Sequence, residues 1–455
     1  GLTTFMTMAY IIALNPNLLT GFTANGGQEL WNAVFLATCI ASAFGTILMA
    51  FIANKPFAMS AGMGLNSFFA VVVANIATIA GVSYLEGFRA GLCIILIEGI
   101  VFIILSALNV REKIVQAIPL GVRLGISPAI GLMLLNIGFG SNAGVYSETG
   151  GPFYAMANFF GSLTASYAKD TMGSGYSVMV LTVITMFVGL FTIVALDHKK
   201  VKGSVLYGIL TGSVIYWAGE YFVLHINPFA SLATASWLPP FKDMAALTLF
   251  KFDFNVLKSL GMFTVVTLVL TFCIIDMFDT IGTLVGTASR ANMLDENGNM
   301  PNMKEALLSD ACGTVCGALT GTSTITTFVE SASGVEAGGR TGLTSLVTGL
   351  IFLACMFISP IAAIIPAAAT SSALIYVGIL MLQGLKNIDF DDISVCVPVF
   401  IMLVAMPISG SIGHGIGLGL IAYTIIKFIT GKAKEVSPLT LVLSILFLVK
   451  FFFAF

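Results

Sequence analysis

The chain has 455 residues, 57% of them hydrophobic and only 9% charged, with Lys+Arg 20 against Asp+Glu 22. Soluble domains carry about 25% charged residues, and a mean hydropathy of +1.00 leaves more apolar surface than a water-facing fold can hide. The balanced charge argues against a nucleic-acid partner, which needs a basic face, whereas a bilayer accepts the surplus apolar surface. The 7 cysteines form no C-x-x-C pair and the 3 histidines no cluster, so free buried thiols are expected, with no disulfide, metal site or cofactor. The opening Gly1 reads as following a short N-terminal tail. The first apolar stretch reads as a span rather than a cleavable signal peptide.

A spanning helix needs about 20 mostly apolar residues. Taken in order, spans are expected near 3–20, 32–54, 66–80, 88–108, 114–138, 176–197 and 203–223. A second set follows near 261–286, 306–321, 328–338, 342–365, 371–386, 391–409 and 411–431, and a further apolar segment covers 437–455. The pattern predicts an all-α polytopic membrane protein of 14 spans in two sets of seven. Lys and Arg favour cytoplasmic loops. With the N-terminus inside, the ends of even-numbered spans carry Lys55, Arg111, Lys113, the His198–Lys202 loop, Arg290, Lys304, Arg340, Lys386, Lys427, Lys432 and Lys434. The loops 139–175 and 224–255, on the other side, are longer and poorer in positive charge.

Two segments are too short or too polar for ordinary spans: Ala58–Ser67 and Gly321–Gly334. Each is third in its set of seven. Non-helical backbone is tolerated at membrane depth only where protein or a cavity shields it. Such interrupted segments at matching places in two halves point to a transporter's binding site. Glycine also serves plain helix packing in membranes, so the pairing of the two segments carries more weight than any one residue. The clearest echo between the halves is Ala117-Ile-Pro119 against Ile364-Ile-Pro366.

Charged side chains inside spans cost about 2.5–3.5 kcal/mol each and usually face a cavity. Asp276 and Asp279 are three apart and share one helix face. Two nearby carboxylates in a low dielectric resist both being ionised, which suits a carrier that binds a proton; the bland alternative is a pair satisfied by local donors. Glu330 follows a Thr-rich stretch at the start of an expected half-helix, where free N–H groups stabilise a carboxylate, or where it serves only as a cap. Asn66, after Gly62 and Gly64, holds the matching place in the first half; its amide both donates and accepts, or caps a helix. Glu336 and Arg340 are spaced to pair with each other, and Glu98, Arg123 and His414 read as structural. Three carboxylates and an amide favour a planar, neutral ligand rich in N–H donors, or a cation. Phe69 and Phe328 are the candidate stacking partners.

These residues resemble the nucleobase–cation symporter 2 superfamily, and within it the AzgA-like adenine/guanine/hypoxanthine permeases. The resemblance rests on Gly1–Pro16, Gly62–Phe69, Ile275–Thr283 and Val329–Gly342, and with the span plan it covers essentially the whole chain. It implies a uracil-permease-like fold of two inverted seven-span repeats, with short strands in spans 3 and 10. It implies a core domain from 1–110 (spans 1–4) and 256–366 (spans 8–11), and a gate domain from 111–255 (spans 5–7) and 367–435 (spans 12–14). The gate would make a homodimer contact, and 436–455 would be an extra C-terminal segment. The resemblance further implies an inner-membrane secondary transporter, not an enzyme, that takes up purine nucleobases with protons by alternating access. Asn66, Asp276 and Glu330 would bind the purine and Asp279 would couple the proton. The rivals are a sodium-coupled nucleobase carrier and an anion carrier of the sulfate/bicarbonate class, which shares the fold.

Overall fold

The computed structural model describes residues 1–21, 27–108, 119–142, 175–233, 235–290, 293, 300–409 and 412–453. Expectations for Arg111, Lys113, Ala117 and most of the 139–175 loop lie outside these residues. Among the described residues, eight helical stretches are long and apolar enough to cross a bilayer, and four shorter apolar helices accompany them. The chain is an integral membrane protein.

Span 1 is not one helix. It is α1 (Leu2–Met8) and α2 (Ile11–Gly21), separated at Ala9–Tyr10. Next come α3 (Gly27–Leu48, prolonged by a π turn to Ala53), the strand β1 (Met59–Ala61), α4 (Met63–Ala80), α5 (Tyr84–Ala107) and α6 (Leu120–Ile137). Then follow α7 (Gly175–His198), α8 (Ser204–Phe222) and the short helices α9 (Phe241–Leu247) and α10 (Phe254–Ser259). The second half holds α11 (Met262–Arg290), α12 (Met303–Thr320), β2 (Ile325–Thr327), α13 (Ser331–Glu336), α14 (Gly342–Ala354) and α15 (Ser359–Ala363). It closes with α16 (Ala367–Leu382), α17 (Ile393–Ser409), α18 (Ile412–Ile429) and α19 (Pro438–Phe453).

Local chemistry accounts for several of these boundaries. Gly81 ends α4 at φ 65° in the left-handed region that a side chain disfavours. Ser83 and Glu86 then open α5 as a reciprocal capping box: the Ser83 hydroxyl accepts from the Glu86 amide while the Glu86 carboxylate accepts from the Ser83 amide. Pro119 and Pro366 cap α6 and α16, where a missing N–H costs nothing.

The two interrupted segments meet. β1 and β2 pair antiparallel, with Met59 opposite Thr327, Ser60 opposite Thr326 and Ala61 opposite Ile325. All six strand residues are buried, so each backbone polar group must find a partner inside the protein. The ladder supplies most, and Gly62 N–H to Thr324 O (3.1 Å) and Phe328 N–H to Ala58 O (3.0 Å) extend it. Threonines from the preceding helices supply more: Thr46 Oγ1 donates to Met59 O (3.0 Å) and Thr314 Oγ1 to Ile325 O (3.0 Å). The dipeptides Gly45-Thr46 and Gly313-Thr314 thus do the same work in the two halves. The glycines let α3 and α12 close on the strands, since a Cβ on Gly45 or Gly313 would lie 3.3 or 3.1 Å from the Ile325 Cγ2 methyl of β2.

The helices pack in two groups. In one, α12 lies on α5 and α3, and α14 lies on α3. In the other, α16 packs on α6 and α7, α7 on α8, and α17 on α6 and α18. Gly131 of α6 and Gly378 of α16 stand at the same sequence distance from Pro119 and Pro366. A Cβ on either would lie 2.7 Å from the other's carbonyl oxygen. This reciprocal crossing is what two copies of one ancestral helix related by a local two-fold would form. The apolar segment read at 437–455 is the helix α19, which packs on α18 and is pinned at its start by Lys427 Nζ to Glu435 Oε2, 2.6 Å.

Candidate functional site

The site forms where the strand pair, the break in span 1, the start of α13 and the middle of α11 converge. Glu330 is the N-cap of α13, as expected from the Thr-rich run before it. Its Oε1 accepts from Tyr10 Oη at 2.5 Å. Its carbonyl accepts from Ser333 Oγ (2.7 Å), whose hydroxyl also bonds Thr7 Oγ1 (2.8 Å). The broken first span therefore docks on the start of the half-helix.

Asp276 and Asp279 both project from α11, on one helix face, but reach different partners. Asp276 is fully buried, and its Oδ1 accepts from Thr280 Oγ1 at 3.0 Å. The same hydroxyl lies 3.0 and 3.1 Å from the two carboxyl oxygens of Asp310 on α12, and 2.7 Å from Thr326 Oγ1 on β2. Asp279 turns toward the entry of α4: its Oδ2 is 3.5 Å from where a Cβ on Gly62 would stand. It also lies within electrostatic reach of Asp310 and Glu330. Only glycine at position 62 leaves room there, because its Cβ would also collide with the Thr326 methyl at 2.5 Å.

Asn66 lies in the first turns of α4, 1% exposed. Its amide donates to Asn15 Oδ1 (2.7 Å) and to Ala61 O (3.2 Å), and its oxygen accepts from Ser323 Oγ. Asn15 in turn donates to Thr38 Oγ1 (2.7 Å) and Thr322 Oγ1 (2.8 Å). With both donors committed, Asn66 has one acceptor lone pair left to offer. Phe328 follows directly on β2, and its backbone is tied to Ala58. Phe69 sits deeper, its ring edge-on to Phe88 (centroids 5.4 Å) and Phe272 (6.4 Å). The structure thus brings Glu330, Asp276, Asp279 and Asn66 around one strand crossing, with Phe328 beside it and Phe69 in the packing layer behind.

Four further polar residues belong to the cluster and escaped the sequence reading: Tyr10, Asn15, Thr280 and Asp310. Asp310 carried a usable signal, since a carboxylate inside an apolar helix is as costly there as at Asp276. Tyr10 and Asn15 carried none beyond their place in the first span. Of the structural candidates, Glu98 accepts from Thr324 Oγ1 at 3.0 Å and His414 stacks edge-on with Phe451 at 5.6 Å. Arg340 donates to backbone carbonyls of Val335 and Gly339, while the Glu336 side chain lies outside the described residues. All seven cysteines are free thiols. Among the described residues, no three His, Cys, Asp or Glu side chains are grouped to hold a metal ion.

A helical membrane protein with a shielded strand crossing, two half-helix starts and buried carboxylates at that crossing has the layout of a transporter's binding site. A permease-family model matches residues 1–412. The chain is 35% identical to the adenine permease AdeP of Escherichia coli, over 100% of this chain and 92% of that one. It is 36% identical to the guanine/hypoxanthine permease PbuO of Bacillus subtilis, over 99% and 96%. The chain belongs to the nucleobase–cation symporter 2 family of permeases. Among solved structures, the transmembrane domain of the cyanobacterial bicarbonate transporter BicA superposes with a TM-score of 0.62, over 90% of this chain and 96% of that one, at 13% identity. The transporter SLC26A9 superposes at 0.64, over 95% and 64%, at 11% identity. At those identities the likeness shows the fold alone, which is the uracil-permease-like fold.

Proposed function

We propose that this permease imports purine nucleobases (adenine, guanine or hypoxanthine) with protons, by alternating access. The observation that carries the reading is the acidic crossing itself, set in a chain whose full-length relatives are adenine and guanine/hypoxanthine permeases. A purine edge presents N–H donors, and Glu330, just after β2, and Asp276, joined to β2 through Thr280, offer carboxyl acceptors. Asn66 adds an acceptor at the start of α4. Phe328, two residues before Glu330, is the nearer stacking face, with Phe69 the deeper one. Asp279, next to the charges of Asp310 and Glu330, holds the coupling proton.

The helix group around the strands acts as the core domain, and the group around the Gly131–Gly378 crossing acts as the gate. The core moves as a body against the gate and carries the site from one side to the other. Fourteen spans, a cytoplasmic N-terminus in the inner membrane and a homodimer contact through the gate complete the picture. Acidic side chains at the crossing disfavour an anionic cargo, which argues against the sulfate/bicarbonate reading.

The test is uptake of labelled adenine and hypoxanthine into proteoliposomes with and without an inward proton gradient. Accumulation abolished by a protonophore and indifferent to sodium supports the reading. Accumulation that follows sodium instead replaces the coupling ion, and no uptake of either purine under any gradient removes the substrate.

A further inference from the structure

We propose that Tyr10 is a positioning residue for substrate recognition: its hydroxyl holds Oε1 of Glu330, so that Oε2 is the oxygen presented to an N–H on the ligand's edge. This rests on the purine reading above. The break between α1 and α2 falls at Ala9–Tyr10, so Tyr10 leaves the helix where its ring can turn toward the start of α13. The side chain is 2% exposed, and a buried hydroxyl needs a partner within the protein. That partner is Glu330 Oε1, at 2.5 Å, in the range of a hydroxyl donating to a charged acceptor.

A carboxylate has two oxygens and rotates freely unless something fixes it. Among the described residues, Tyr10 is the one side chain that hydrogen-bonds the Glu330 carboxyl, and it acts beside the residue's own backbone N–H. Ser333 Oγ (2.7 Å) and Thr7 Oγ1 (3.4 Å) both donate to the Glu330 carbonyl from the other end. Backbone and side chain of Glu330 are therefore both clamped, the backbone from α13 and α1 together and the side chain from the break in span 1. Span 1 also carries Asn15, which receives a hydrogen bond from Asn66 at 2.7 Å. One span thus supports ligand-facing residues from both halves of the chain, Asn66 from the first and Glu330 from the second. A support of this kind sets the angle of a hydrogen bond to the ligand, and small misplacements there cost affinity steeply.

The experiment measures binding of labelled adenine and labelled hypoxanthine to the purified full chain for wild type, Tyr10→Phe, Glu330→Gln and the double variant. Infrared spectra of the same ligand-free proteins are taken in parallel. Removing the hydroxyl is expected to weaken purine binding about tenfold in the wild-type background and to lower the melting temperature of the ligand-free protein as well. In the Glu330→Gln background it should change binding by less than about twofold, because there is no carboxylate left to position. The carboxyl band absent from Glu330→Gln should be displaced in Tyr10→Phe. Equal losses in both backgrounds, or a band that does not move, overturn the proposal and leave Tyr10 a packing residue. If Glu330→Gln binds too weakly to measure, the infrared band decides. If wild type binds neither purine, the substrate reading fails while the band still reports on Tyr10 and Glu330.

Discussion

Replacing Thr280 by Val removes one hydroxyl and nearly nothing else, since the two side chains have similar volumes. That hydroxyl is shared: it lies 3.0 Å from Asp276 Oδ1, 3.0 Å from the nearer Asp310 oxygen and 2.7 Å from Thr326 Oγ1. A hydrogen bond to a charged group contributes about 1.5–3 kcal/mol, and a buried partner left without one bears the desolvation cost. The hydroxyl has one proton to give, so the losses do not sum, and about 2 kcal/mol is expected. If Asp276 contacts substrate, that figure corresponds to about a 30-fold loss in uptake efficiency. Initial rates in proteoliposomes, with the melting temperature of the detergent-solubilised protein, measure both effects. Thr280→Ser keeps the hydroxyl and should stay within about threefold of wild type, the residual loss being one methyl group. A Val variant with wild-type rates and melting temperature would refute the role of this hydroxyl in joining α11, α12 and β2.

Glu330→Ala should abolish saturable purine uptake while the protein still reaches the membrane, checked by transport assay and immunoblot of the membrane fraction. Ala at Gly131 or Gly378 brings a Cβ to 2.7 Å from the opposite carbonyl, where ordinary contact begins at 3.4 Å. The two helices must part by about 0.7 Å, and overpacking of this size costs about 1–3 kcal/mol, to be read as a lowered melting temperature that is similar for the two variants. Ser83→Ala removes the hydroxyl that accepts from the Glu86 amide at the start of α5, and amide exchange at that first turn should accelerate by about fivefold, in line with about 1 kcal/mol for a lost cap; unchanged exchange there would show that the cap contributes nothing.

The membrane class followed from composition alone, because hydropathy is a sum over residues and needs no knowledge of which ones touch. The two interrupted segments and the costly carboxylates Asp276, Asp279 and Glu330 were legible for the same reason: each breaks a local rule about apolar helices, and the rule is visible within a window of one span. The family resemblance carried the expectation of strands in spans 3 and 10, which β1 and β2 fulfil.

What only the tertiary structure decided is which of these residues meet. Tyr10 reaches Glu330 from a break in span 1 whose apolar pattern reads as continuous, and Asn15 reaches Asn66 from within α2. Asp310 joins Asp276 through Thr280, and Phe69 lies behind the crossing among Phe88 and Phe272 rather than beside Phe328. The Gly-Thr dipeptides and the Gly131–Gly378 crossing reveal a repeat that side-by-side comparison of the two halves barely showed. The physical reason is that an inverted repeat preserves backbone geometry through a few small or hydroxyl residues at close approaches. Lipid-facing positions need only be apolar, so they drift, and the symmetry survives in contacts between residues far apart in the chain.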